Sequence, residues 1–412
     1  MSITITDLRK EIGNLAVAVF LNCQFVRSFL DAIIPSFTAH GIRFVIIVSA
    51  VLFLLSIRKL SFRIGDVLIP VVVVLYYLIT SILFPGKSAV TFFEVFSYVI
   101  MPFLLVMLDI DIRKIVKWTL IITAPVILVS DQIFTHTLKA NAITMLLSYS
   151  VLFSSACGLS YLLYYRRYDR RPVRILFIIL CIPQAYYTYE MVLFGSRGPA
   201  LSLLVLLVLI LFFKPKNNND YVNRRFSTFA VFVSIAFALI AVFFEDILMW
   251  TNDFLIRHNI VFRSIIKSIR LYQEADLSHG RIAFYITALQ GFVKSPLFGH
   301  GFDVFYANTG FIYPHNFILQ LAYDGGIILL LFVLHPVIRS SIRIFGKRNY
   351  SLLVPWILLF SSSVVGALFS GDLWMRYNLW FFFAYCIRYG RKMSVITETR
   401  SSKNTALEQV FN

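Results

Sequence analysis

Long apolar runs separated by short polar segments dominate this sequence. A helix that crosses a bilayer needs about 17–25 mainly apolar residues. Runs of that kind centre on residues 13–35, 41–57, 67–84, 89–108, 115–130, 142–165, 173–194, 199–213, 227–244, 324–338, 351–369 and 375–388. They are continuous rather than alternating, as in Leu201 to Phe213, which carries no charge. The pattern predicts an all-α polytopic membrane protein of twelve transmembrane helices, not a barrel of alternating strands. The first run lacks a short hydrophobic core followed by a small-residue cleavage site, and it holds Arg27 and Asp31 at i,i+4. It reads as a retained first span in which those two charges pair.

Orientation follows from alternate connections. One set carries Arg58, Lys59 and Arg63; Arg113, Lys114 and Lys117; Arg166 to Arg174; Lys214 to Arg225; Arg339 to Arg348; and Arg388 to Lys392. The short connections of the other set carry little beyond Lys87, Lys139 and Arg197. The positive-inside rule puts the first set, and with it both termini, in the cytoplasm. The layout is then spans one to nine in 1–244, a large outer loop in 245–323, spans ten to twelve in 324–393 and a polar cytoplasmic tail in 394–412.

Loops as long as 245–323 are usually functional. Within it Ile260, Val261, Ile265, Ile266 and Ile269 are apolar, while Arg263, Lys267 and Arg270 fall at i, i+4 and i+7 on one face. That spacing predicts an amphipathic helix at the lipid interface, its basic face toward anionic groups. A second helix is expected from Arg281, after Ser278-His279-Gly280, to Lys294-Ser295-Pro296. The turn Gly299-His300-Gly301 then leads through Tyr313-Pro314-His315-Asn316 into the tenth span.

Composition sharpens this picture. Of 412 residues 59% are hydrophobic and 14% charged, so the chain lacks the polar surface of a soluble enzyme. The net charge of +17 reports topology, and no nucleic-acid partner is expected. Cys23, Cys157, Cys181 and Cys386 all lie in apolar runs and read as small packing residues rather than disulfide or zinc ligands. The pair Asp109 and Asp111 forms a DxD, but on the cytoplasmic side, where it reads as solvated loop charge. No phosphate-loop, GxSxG or HExxH motif occurs, which argues against an ATP-driven pump or a membrane protease.

Three residues on the outer side could carry chemistry. Arg197 lies in Gly195-Ser196-Arg197-Gly198-Pro199 at a helix break, where glycines admit close backbone approach and a guanidinium suits phosphate oxygens. The competing reading is an interfacial arginine that snorkels to water or pairs with Glu190. Arg281 opens a helix, where free N–H groups favour anions; an ordinary solvent-exposed arginine is the alternative. His315 follows a rigid Tyr313-Pro314 turn, and an imidazole with a pKa of about 6.5 can take a proton from a hydroxyl near neutral pH. A lone histidine is more often structural. Together these cations and one base suit a lipid-linked phosphate or pyrophosphate substrate.

The segments His279-Gly280-Arg281-Ile282-Ala283-Phe284-Tyr285, Lys294-Ser295-Pro296-Leu297-Phe298-Gly299-His300-Gly301-Phe302 and Tyr313-Pro314-His315-Asn316-Phe317, followed by Asp324-Gly325-Gly326, resemble the O-antigen ligase and O-antigen polymerase superfamily of bacterial inner membranes. So does Ser196-Arg197-Gly198-Pro199-Ala200. The resemblance implies a metal-independent, inverting glycosyltransferase of the GT-C type that needs no cofactor and faces the periplasm. Its partners would be undecaprenyl-pyrophosphate-linked glycans as donor and acceptor, membrane lipid and a chain-length regulator. Carried over by position, Arg197 and Arg281 would hold the donor pyrophosphate and His315 would act on the attacking hydroxyl. Tyr313 and Asn316 join them as substrate-binding candidates, with Arg263, Lys267 and Arg270 as headgroup or glycan contacts. Ligases of enterobacterial type tend to carry a longer insert between the positions of Gly299 and His315 than the fifteen residues here, which favours a polymerase. A ligase acting on lipid A core is the alternative, and a lipid-linked glycan flippase a minor one. The shared-site expectation is that Arg197, Arg281 and His315 converge.

Overall fold

The computed structural model describes residues 4–34, 41–57, 64–88, 90–130, 133–134, 141–213, 228, 232, 244–258, 265–266, 268–270, 281–346 and 350–390. Every regular element among the described residues is helical. Apart from residues 228, 232 and 244, the expected ninth span lies outside them, as do the tail, Arg263, Lys267 and Ser278-His279-Gly280.

Among the described residues three helices are long and apolar enough to cross a membrane: Ile64–Leu83, Arg171–Phe194 and Phe317–Phe345. Shorter apolar helices span Gly41–Ser56, Phe92–Met107, Leu147–Leu163, Arg197–Phe213 and Leu352–Ala367. The first of the long helices shows what surrounds them. It buries Ile69 and Val73 but exposes Leu68, Val71, Leu75, Ile79 and Ile82, an unbroken apolar stripe at helical spacing. A bare stripe of that kind is covered by lipid, not water. The chain is a helical membrane protein.

The first span departs from expectation. Instead of one helix over 13–35 there are two, α1 (Ile5–Leu21) and α2 (Cys23–Ile33), bent by 74°. The cause is Asn22, whose Nδ2 donates to the Ala18 carbonyl at 2.8 Å and to Thr119 Oγ1 at 3.1 Å, a local bond that competes with the helical ladder. Before it, Thr4 and Asp7 form a capping box that starts α1 well ahead of the apolar run. The pairing of Arg27 with Asp31 is present at 3.2 Å. Buried polar groups elsewhere join helices in the same way, as Gln184 Nε2 does to Thr123 Oγ1 at 2.8 Å. The four cysteines are free and buried. Asp111 caps the helix that follows it, and exposed Asp109 faces Lys10 at 3.9 Å, so the DxD is loop charge and helix cap.

The tenth span also differs. The helix here called α3 (Phe317–Gly346) begins before residue 324, because Asn316 Oδ1 caps it by accepting from Ile318 N at 2.9 Å and Leu319 N at 3.2 Å. It is broken at Gly326, whose φ of 63° is in the left-handed region. The break has a use. Carbonyls freed near it accept from the turn at 299–301: His300 N donates to Tyr323 O and Gly301 N to Asp324 O, both at 3.0 Å. In return Ile327 N donates to Pro296 O at 2.8 Å. A Cβ on Gly326 would overlap the Leu297 carbonyl, which explains the glycine. This backbone-to-backbone dock fixes α4 (Arg281–Lys294) beside α3 in the same direction, so that Gly291 meets Tyr323. His300 belongs to the dock, its Nε2 2.9 Å from Gly291 O and its ring stacked on Tyr323.

Candidate active site

The dock sets the start of α4 against the start of α3. Phe284, one turn after Arg281, lies parallel to the His315 ring with centroids 5.3 Å apart. Tyr313 closes on the imidazole from 4.4 Å. His315 itself has φ 58°, a left-handed conformation rare for a residue with a side chain. The turn that stores this strain is held on both sides, by buried Pro314 and by the Asn316 cap.

Arg197 stands at the first residue of the helix Arg197–Phe213. The turn before it rests on Ser148 and Tyr149: Ser196 N donates to Ser148 Oγ at 3.3 Å, and a Cβ on Gly198 would overlap the Tyr149 hydroxyl. Those close approaches, rather than turn geometry alone, account for the glycines around Arg197. Its Nη1 donates to Ser268 Oγ at 3.2 Å, and it feels the charge of Arg281. Arg197, Arg281 and His315 are therefore gathered at one corner, each half-buried. Among the described residues neither arginine makes an ion pair with a carboxylate.

The other expected residues divide. Arg270 lies on an exposed part of the helical stretch 268–270, while Ser268 is the residue of that stretch that reaches Arg197. Asn316 is occupied by its cap and by donation from Nδ2 to Leu368 O at 3.3 Å. Tyr313 belongs to the corner; burial pushes its hydroxyl above the usual range, against the nearby Arg376 charge and a bond with Ser370 that lower it. An apolar groove of about 530 Å³ between Leu68 and Ile69 on one side and Leu331, Phe332 and His335 on the other contains none of these residues.

Sequence reasoning missed Tyr149 and Arg376. Arg376 Cζ sits 4.4 Å over the Tyr149 ring, and Nη2 donates to Ser370 O at 2.7 Å. The signal available is a charge inside an expected span, since the twelfth run, 375–388, contains Arg376. Charges in apolar runs are expensive and mark sites.

These features define a class: a helical membrane protein with a strained histidine at one end, among arginines that have no carboxylate ion-pair partner within the described residues. The sequence model of the family described as O-antigen ligase matches residues 186–334, a segment that contains Arg197, Arg281 and His315. Over that segment the chain is similar to the O-antigen ligase family, which supports a place in the O-antigen polymerase and ligase superfamily. No curated protein matches the chain.

Proposed function

We propose that the protein is an O-antigen polymerase, transferring a growing glycan from undecaprenyl pyrophosphate to a sugar hydroxyl of another lipid-linked repeat unit. The observation that carries the reading is the corner itself: two guanidiniums that have no carboxylate partner among the described residues, beside a histidine held in a strained turn. A half-buried cation lacking a counter-charge is costly unless a ligand supplies one. A diphosphate does so, and the forked guanidinium geometry fits its oxygens.

In this reading Arg197 and Arg281 bind the donor diphosphate. The acceptor hydroxyl loses its proton to His315 as its oxygen bonds to the anomeric carbon, and the bond from that carbon to the diphosphate breaks with its electron pair leaving on phosphate oxygen. Displacement from the opposite face inverts the centre. The arginines stabilise the charge gained by the leaving diphosphate. The topology that serves this chemistry is twelve spans in the inner membrane, with the 245–323 loop and the site on the periplasmic face. Arg263, Lys267 and Arg270 would meet lipid headgroups or glycan from that loop, and a chain-length regulator would act on the same face.

Transfer to lipid A core is the second reading, favoured by the description of the matching family as ligases. A surface-glycan gel from a strain lacking the gene separates the two. Lipid A core bearing a single repeat unit, corrected by the wild-type gene and not by His315→Ala, Arg281→Ala or Arg197→Ala, is the result expected of a polymerase. Core without any repeat, with polymer accumulating on undecaprenyl pyrophosphate, means a ligase; an unchanged ladder contradicts both.

A further inference from the structure

Arg376 lies outside the segment matched by the family and outside every motif that carries the resemblance. It precedes the first turn of the last helix, 377–390, and its carbonyl accepts from Leu379 N at 2.9 Å, so its backbone is fixed as a cap. The loop leading to it is anchored from α3, the helix that follows His315. Asn316 Nδ2 reaches Leu368 O, and one turn on, Gln320 Nε2 donates to Asp372 Oδ1 at 2.9 Å while its Oε1 accepts from Leu373 N at 2.9 Å. Trp374, fully buried, stacks on Phe302 at 3.9 Å and donates Nε1 to Asp324 Oδ2 at 2.7 Å. A loop with this many ties holds its arginine in one place.

That place is the corner already described. Tyr149 carries the Arg376 guanidinium on its ring face and presses its hydroxyl against Gly198, the neighbour of Arg197. Tyr313, which touches His315, senses the Arg376 charge. Gly371, with φ 92°, clears the space the guanidinium occupies, for a Cβ there would overlap it. Among the described residues no carboxylate forms an ion pair with Arg376. Asp372 is within range of its charge, but the Oδ1 of that carboxylate takes Trp374 N at 2.8 Å and Gln320 Nε2. Of five guanidinium N–H donors, one is committed to Ser370 O.

We propose that Arg376 is a third phosphate-binding guanidinium of this site, contacting a phosphate group of a lipid-linked substrate. The proposal rests on the reading of the corner as a glycan-transfer site. Charge matching supports it. A glycan-linked polyprenyl diphosphate carries two negative charges, one per phosphate, and gains a third when its bond to the sugar breaks. Two arginines balance the first state and three the second, so a third cation stabilises the departing group more than the bound donor.

The test uses the full chain in lipid nanodiscs, with affinity measured for undecaprenyl pyrophosphate and rates measured with lipid-linked donor and acceptor. Arg376→Gln keeps a donor for Ser370 O and a planar group over Tyr149 while removing the charge; Arg376→Lys keeps the charge, and melting temperatures check that each variant folds. The expected result is a loss of undecaprenyl pyrophosphate affinity of roughly tenfold to a hundredfold in Arg376→Gln, with partial recovery in Arg376→Lys. Unchanged affinity with a raised KM for the acceptor lipid would assign the phosphate to the acceptor and still support the proposal. Wild-type behaviour of Arg376→Gln on both counts, while Arg197→Gln and Arg281→Gln lose affinity, would overturn the role of Arg376 and leave the site standing. Wild-type affinity in all three would end the reading of the corner as well.

Discussion

Arg376 and Arg388 flank and end the same helix, 377–390, roughly 18 Å apart at 1.5 Å per residue. Arg388 is buried and ion-paired with buried Asp66 at the start of Ile64–Leu83. Its end of the molecule holds further ion pairs: Asp169 receives both Arg113 and Lys117, Glu11 receives Lys114, and Asp109 faces Lys10. At the other end Arg197 rests on a serine hydroxyl and Arg376 on a backbone carbonyl and the Tyr149 ring, and among the described residues neither they nor Arg281 have a carboxylate ion-pair partner. The residue type is the same and the accounts differ. A buried cation closed by a carboxylate holds helices together, whereas a half-buried one left open awaits an anion.

Breaking each end should give different losses. His315→Ala should lower transfer by roughly 10²–10⁴-fold with little change in melting temperature, and Arg281→Ala by about 10²–10³-fold. A comparable fall in stability would show that the corner is structural after all. Arg388→Met should do the reverse, costing about 3–5 kcal/mol by stranding the Asp66 charge. Thermal unfolding in nanodiscs reads that loss, and pairing it with Asp66→Leu should recover most of it.

A smaller effect is expected where the two helices dock. Gly326→Ala places a Cβ against the Leu297 carbonyl at positive φ and should cost about 1–3 kcal/mol. Because the dock aligns Phe284 with His315, transfer should fall with it, while undecaprenyl pyrophosphate binding through Arg197 survives. The smallest effect concerns Asp372, whose carboxyl burial raises above the usual range, against hydrogen bonds from Trp374 N and Gln320 that lower it. A raised carboxyl means the folded chain binds the proton more tightly than the unfolded one. That contribution is fully present below the unfolded value of about 3.9 and fades as pH rises toward the folded one. The melting temperature of the wild type relative to Asp372→Asn should therefore decline from about pH 4 upward. A constant difference across that range would remove Asp372 from the account.

Much of this was legible in the sequence, for reasons that can be named. Apolar runs announce helices in lipid because the bilayer leaves no other way to satisfy the backbone. Arg27 and Asp31 at i,i+4, the start of a helix at Arg281 and the inert cysteines followed from local rules, and the structure has them. Asn22 did not, because one amide inside an apolar run looks harmless until Thr119 is found opposite it. The early start of α3 was hidden in Asn316, because a side-chain cap there is not visible from the linear pattern. Arg376 carried a signal, a charge in an apolar run, but not its partners. Its importance lies in Tyr149, Ser370 and Gly371, and only the first of these is distant in sequence, on a helix the linear reading had no cause to connect with it.

The most direct test of the central claim is single-turnover transfer by the purified protein, following release of undecaprenyl pyrophosphate from a lipid-linked donor in the presence of acceptor. The account predicts that release and glycan transfer occur together in the wild type, and that His315→Ala binds donor with near-normal affinity yet releases it roughly 10²–10⁴-fold more slowly. Release from His315→Ala at the wild-type rate would contradict it.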